Sequence, residues 1–168
     1  MAQKQKFRRT LNILEKSKKQ SQFDYTEVFR HIRTNIEFSN VDNPIKSIAI
    51  TSSQPGEAKS TTSMNLAFIF AAKYQKVLII DCDLRKTMLR KYMRLSNSSG
   101  LTDALIDFGK THRFNDEYFQ TVNDQSFSGL LYVLTAGIHV PNPSELLSSD
   151  TFKEYMKVLK QNFDFIII

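Results

Sequence analysis

Residues 51–61 run Thr-Ser-Ser-Gln-Pro-Gly-Glu-Ala-Lys-Ser-Thr. A lysine followed directly by a hydroxyl residue, after a stretch of small and turn-forming residues, suits the holding of a chain of phosphates. Backbone N–H groups at the positive start of a helix attract phosphate. The lysine then reaches the terminal phosphates and the hydroxyl ligates Mg²⁺. The usual pattern is G-x-x-x-x-G-K-[ST], and here Ser53 and Ala58 replace its glycines. The candidate loop is thus Ser53, Gln54, Pro55, Gly56, Glu57, Ala58, Lys59, Ser60 and Thr61, with Lys59 and Ser60 in the chemical roles. Gly56 supplies one flexible position. A negative φ at Ala58 is harmless, whereas a positive φ costs about 1 kcal/mol or more. The competing reading is a Ser/Thr-rich helix cap.

A second set of groups lies in "LIIDCDLR", residues 78–85. Asp81 and Asp83 stand at the carboxyl end of an apolar run. Alternate positions on an extended chain point the same way. Two carboxylates on one side, beside a phosphate loop, would hold Mg²⁺ and accept a hydroxyl proton. Arg85 would offset their charge or touch phosphate. An acidic strand end in solvent is the plainer alternative.

These groups need elements to hold them. "KSIAITSS" (46–53) is expected to be a short buried strand leading into the loop, and 59–74 a helix leading out of it. The continuous apolar run at 76–83 suits a parallel strand covered on both faces. Further on, 84–93 is a short helix or loop, and 100–107 starts a helix with Thr102 as its cap. Residues 129–137 form a third strand, 141–163 a turn with one or two helices, and 163–168 a fourth strand. Upstream, 24–39 has helical spacing, with Asp24 or Thr26 as cap and Asn43-Pro44 after its end. Strands alternating with helices predict a three-layer α/β fold with a mainly parallel sheet. In such sheets ligands sit beyond the carboxyl ends of the strands.

The 168 residues, 41% hydrophobic and 24% charged, suffice for one domain with a real core. No apolar run approaches the roughly 18 to 20 residues needed to span a bilayer. The basic N-terminus is not followed by the apolar stretch of a secretory signal. The single cysteine, Cys82, forbids an intrachain disulfide and fits a reducing cytoplasm. The net charge of +6 resides in residues 1–20, where seven basic side chains face only Glu15. Residues 1–22 thus form a basic arm on a neutral body, 23–168. Such an arm suits peripheral contact with an anionic membrane or simple solvation. A nucleic-acid partner is not expected without a basic body.

With these motifs in order, the chain resembles the bacterial tyrosine kinases of the capsule and exopolysaccharide type. It is most similar to the cytoplasmic Gram-positive form, whose transmembrane activator is a separate protein. The resemblance runs from about Glu27 to Ile168. It rests on the loop "SSQPGEAKSTT", on "LIIDCDLR", on an E-x-x-R-x-x-R motif at Glu27, Arg30 and Arg33, and on "TAGIHVPNPSELLSS" (135–149). It implies a P-loop domain that transfers phosphate from Mg-ATP to tyrosine and regulates polysaccharide synthesis. Lys59 and Ser60 would serve the phosphates and Mg²⁺, and Asp81 and Asp83 would serve Mg²⁺ and the incoming tyrosine hydroxyl. Glu27, Arg30 and Arg33 would dock a neighbouring subunit in a homo-oligomeric ring. The protein would work in the cytoplasm, at the inner face of the membrane, through its activator.

Four features depart from the resemblance. Ala58 replaces a glycine, Cys82 stands between the two acids, and Thr87 stands where proline is common. The chain also stops at "FDFIII", in the strand that would be Walker B, whose aspartate would be residue 169. The domain is therefore read as incomplete at its C-terminus, a truncated kinase. The alternative is a catalytically inactive remnant that binds the activator. A partition or septum-placement ATPase of the deviant Walker type is disfavoured, because Gln54 occupies the position of its additional lysine.

Overall fold

The computed structural model describes residues 25–168, so the basic arm and the cap proposed at Asp24 lie outside the described residues. The described residues belong to two compact units, one ending at Pro44 and the other spanning Ile45–Ile168. The first carries helix α1, Tyr25–Phe38. Thr26 lies inside this helix rather than at its cap.

The second unit is built on a five-stranded sheet. Its strands are β1 (Ser47–Ile48), β2 (Lys76–Ile80), β3 (Gln120–Val122), β4 (Leu130–Leu134) and β5 (Phe165–Ile167). Their order across the sheet is β1-β5-β2-β4-β3. All pairings are parallel except β3 with β4. The predicted α/β fold with a mainly parallel sheet is therefore the observed one. Strand β3 was not predicted: three residues, Gln-Thr-Val, are too short to carry a period.

The apolar runs of β2, β4 and β5 form strands because both their faces are covered. Helix α2, Lys59–Ala71, packs on one face, where the Phe70 ring stacks on Phe165 at 3.8 Å between centroids. Helices α4 (Leu101–Thr111) and α6 (Asp150–Asn162) cover the other. There Leu105, Phe108, Tyr155 and Leu159 meet Leu78 and Ile166. Successive strand residues face opposite layers, which is why a run with no polar break fits. Two short helices complete the unit, α3 (Leu89–Met93) and α5 (Pro143–Ser148). The 141–163 segment thus holds two helices.

Three local expectations need correction. Strand β1 is shorter and less buried than predicted, with Ser47 and Ile48 half-buried and Ala49 exposed. Among the described residues it lies at the sheet edge and pairs only with β5. Strand β2 ends at Ile80, so Asp81 and Asp83 lie beyond it. Thr102 is not the cap of α4. Gly100 holds that position, and Thr102 is fully buried with no hydrogen-bond partner for its hydroxyl among the described residues.

The start of α4 is instead tied to the end of β4. Leu101 N–H donates to Thr135 O at 2.7 Å and Thr102 N–H to Ala136 O at 3.0 Å. These bonds satisfy amides that a helix start otherwise leaves open. Asp103 accepts from the amides of Gly100 (2.9 Å) and Ile138 (3.3 Å). The backbones approach so closely that a Cβ on Gly100 would lie 2.2 Å from Thr135 O. Gly100→Ala is expected to destabilise the unit by about 2 kcal/mol, as overpacking does. A lowered urea midpoint at unchanged slope checks this.

Candidate nucleotide site

Parallel pairing sets where the site lies. Strands β1, β5 and β2 run in one direction, so the segments after β1 and after β2 leave the sheet at the same edge. The first is the candidate phosphate loop and the second carries Asp81 and Asp83. The β1–β5 register continues past the strands, with Ile168 N–H on Ile48 O (2.9 Å) and Ile50 N–H on Ile168 O (2.8 Å). The chain is therefore held by the sheet almost to the loop.

Ser53 to Ala58 are exposed, while Lys59 and Ser60 are half-buried where α2 begins. Thr61, the last candidate of the loop, is exposed in the first turn of α2. Gly56 has φ +86°, a conformation L side chains rarely adopt, and nothing lies within 4 Å of the place a Cβ would take. Ala58 has φ 60° and ψ 22°, and it is the residue from which α2 springs. Ala58 thus occupies the left-handed region, at a cost of about 1 kcal/mol for alanine.

The loop is tied from within. Lys59 Nζ donates to Ser52 Oγ at 2.9 Å, and that hydroxyl donates to Gln54 O at 2.9 Å. Gln54 N–H donates to the Glu57 carboxylate at 3.2 Å. Ser52 was not among the sequence candidates. Its only signal is a hydroxyl near the end of the incoming strand, within reach of the lysine.

The two acids sit in unlike surroundings. Asp81 is 6% exposed, whereas Asp83 is exposed. The alternation argument fails here because the chain turns after Ile80. Asp81 N–H still bonds to Leu134 O at 2.9 Å, as a last rung beside the strand. Its Oδ1 accepts from Asp83 N–H (3.2 Å), and its Oδ2 accepts from the Thr87 hydroxyl and from Leu89 N–H (3.3 Å). Asp83 Oδ1 takes Lys86 N–H at 2.9 Å. Burial raises the Asp81 pKa above its ordinary value near 3.8, opposed first by the Thr87 bond. Arg85 is exposed. Burial pushes the Cys82 thiol up to about 12, so it stays protonated.

The donor set suits a hard cation. Ser60, Asp81 and Asp83 offer oxygen, and Mg²⁺ commonly takes one or two carboxylates with phosphates and water making up the rest. Among the described residues no three His, Cys, Asp or Glu side chains gather into a metal cage. No described helix is long and apolar enough to cross a membrane. On α1, Glu27 bonds Arg30 at 2.9 Å, while Arg33 faces Glu37 at 3.6 Å. Glu27 also lies 3.6 Å from His31 Nε2, so the motif residues pair along their own helix, and Glu37 was not foreseen.

The AAA domain family matches residues 45–168. Tyrosine-protein kinase YwqD of Bacillus subtilis (strain 168) is 44% identical over 142 residues, covering 84% of this chain and 56% of YwqD. The putative tyrosine-protein kinase CapB of Staphylococcus aureus is 42% identical over 143 residues, 85% of this chain and 59% of CapB. The chain belongs to the bacterial tyrosine kinases. The crystal structure of the chimerical protein CapA2B2 matches it with a TM-score of 0.74 at 37% identity, over 89% of this chain and 62% of that one. The chain thus spans little more than half the length of the two kinases it matches. Over that span it shares the P-loop fold of the family.

Two outcomes are expected of this site in Mg²⁺-free buffer. Ala58→Gly relieves the left-handed strain and raises stability by about 1 kcal/mol, read as a higher melting temperature. Asp81→Asn removes the titrating charge but turns one acceptor oxygen into an NH2 group that faces the N–H of Asp83 or of Leu89, so its expected effect is a flatter pH dependence of stability. The folded pKa of Asp81 is raised, so the charged carboxylate opposes folding. Its uncharged form is most favourable below the unfolded value near 3.8, and that advantage is lost as pH rises through the folded pKa. The stability of the parent relative to the variant therefore rises as pH falls to 3.8 and below, measured by melting across a pH series.

Proposed function

We propose that this chain binds Mg-ATP and serves phosphoryl transfer to tyrosine, in the control of capsular or exopolysaccharide synthesis. The carrying observation is that the loop before α2 and the turn holding Asp81 leave the same edge of a parallel sheet. Phosphoryl transfer needs mainly positioning and charge neutralisation. A lysine, a hydroxyl and two carboxylates on segments that leave one sheet edge support that reading.

Each residue has a role in this reading. The amides from Ser53 to Ser60 cradle the phosphates, and Thr61 extends the cradle into α2. Lys59 leaves Ser52 and turns to the terminal phosphates, with Arg85 near them. Ser60, Asp81 and Asp83 hold Mg²⁺, which when bound neutralises charge on the transferred phosphate. One of the two aspartates would take the proton of the incoming tyrosine hydroxyl as that oxygen bonds the γ-phosphorus and the bond from this phosphorus to the bridging oxygen breaks, so that ADP leaves. The partner is a transmembrane activator of polysaccharide synthesis, reached from the cytoplasmic side. Glu27, Arg30 and Arg33 serve contacts between copies in a ring. The basic arm, residues 1–22, adds attraction to anionic lipid.

A second reading has one observation in its favour. The left-handed Ala58 weakens the cradle, as suits a chain that keeps activator binding without transfer. Intact mass spectrometry of the protein from its source cells, beside a Lys59→Met strain, separates the two. Phosphotyrosine that disappears in the Lys59→Met strain is the expected result. A phosphate-free protein in both strains, with the activator present, overturns transfer and leaves the binding role.

A further inference from the structure

The turn after β2 contains a side chain that the phosphate-loop chemistry does not use. Thr87 is half-buried, and its hydroxyl donates to Asp81 Oδ2. The same oxygen also accepts Leu89 N–H at 3.3 Å. A carboxylate oxygen has two acceptor sites, so Oδ2 is filled. The other oxygen, Oδ1, accepts Asp83 N–H at 3.2 Å and keeps one site.

Asp81 receives three donors, and two of them are backbone amides that no substitution at 87 removes. Among the described residues Thr87 gives the single side-chain bond. Asp81 is also fixed from behind, by its own amide on Leu134 O. With its backbone held by the sheet and Oδ2 filled, the remaining freedom is rotation of the carboxylate about its own axis. The Thr87 hydroxyl opposes that rotation. A bond between a hydroxyl and a carboxylate is charge-assisted and stronger than a neutral one.

We propose that Thr87 is a positioning residue that fills Oδ2 of Asp81 and so reserves Oδ1 for the Mg²⁺ of the bound nucleotide. The inference rests on the nucleotide-site reading above. Groups that orient a metal ligand typically change metal affinity by roughly ten- to a hundredfold when removed. Two backbone donors remain here, so the low end, about tenfold, is the expected effect.

The test is a fluorescence titration of the full chain with N-methylanthraniloyl-ADP, with and without Mg²⁺. Thr87→Val keeps the shape and removes the donor. It is expected to raise the Mg²⁺ midpoint about tenfold while binding to Mg²⁺-free nucleotide is unchanged. Thr87→Ser, which keeps the hydroxyl, is expected to match the parent. If circular dichroism shows the valine variant unfolded, Thr87→Ala is titrated in its place. An unchanged midpoint without the hydroxyl overturns the role. So does equal weakening with and without Mg²⁺, or a serine variant as impaired as valine, because each reveals packing rather than positioning. A parent chain with no Mg²⁺-dependent binding overturns the nucleotide site itself, and this inference with it.

Discussion

Strand β5 is three residues long, and the site depends on its being hydrogen-bonded on both sides. Phe165–Ile167 pair with β1 on one flank and β2 on the other. Through that strand the segment before the phosphate loop and the segment before Asp81 share one frame. Burial on both faces makes the frame rigid. Phe165 stacks on α2, and Ile166 sits among α4 and α6 residues. Charged groups are thereby kept off the covered faces of β2 and β5 and lie at the ends of these strands, Asp81 and Asp83 at one edge and Lys76 and Asp164 at the other.

Within that frame the two halves of the site are held differently. The loop before α2 is exposed and tied by its own side chains, Lys59 to Ser52 and Glu57 to Gln54. Nucleotide phosphates would compete directly for Lys59. Asp81 is buried and tied to the sheet, to Thr87 and to the start of α3. The first half is suited to rearrange around a ligand, and the second to stay in place while it does.

Much of this was legible in the residues. The run Val77–Ile80 has no polar break, which suits a strand buried on both faces. Lys59-Ser60 at the head of an apolar helix pointed to phosphate despite the two missing glycines. Other features depended on contacts that sequence does not display. The φ of Ala58 is set by how the loop meets α2. The contrast between Asp81 and Asp83 arises because the chain turns immediately after Ile80, so a period of two no longer applies. Thr87 lies six residues from the carboxylate it bonds, across a turn of no regular period. Strand β3 is defined by its partner β4 rather than by its own three residues.

The order of strands also bears on how the chain folds. Strand β1 comes first in sequence, yet its partner is β5, with Ser47 beside Ile166. Closing that pair means ordering nearly all of the second unit beforehand. Folding dominated by such distant pairings is slow. During synthesis β1 and one edge of β2 must wait, unpaired, until β5 emerges. Exposed strand edges of this kind invite association between chains. The arrangement that gathers the phosphate loop and Asp81 at one edge therefore also lengthens the period in which the nascent chain needs protection.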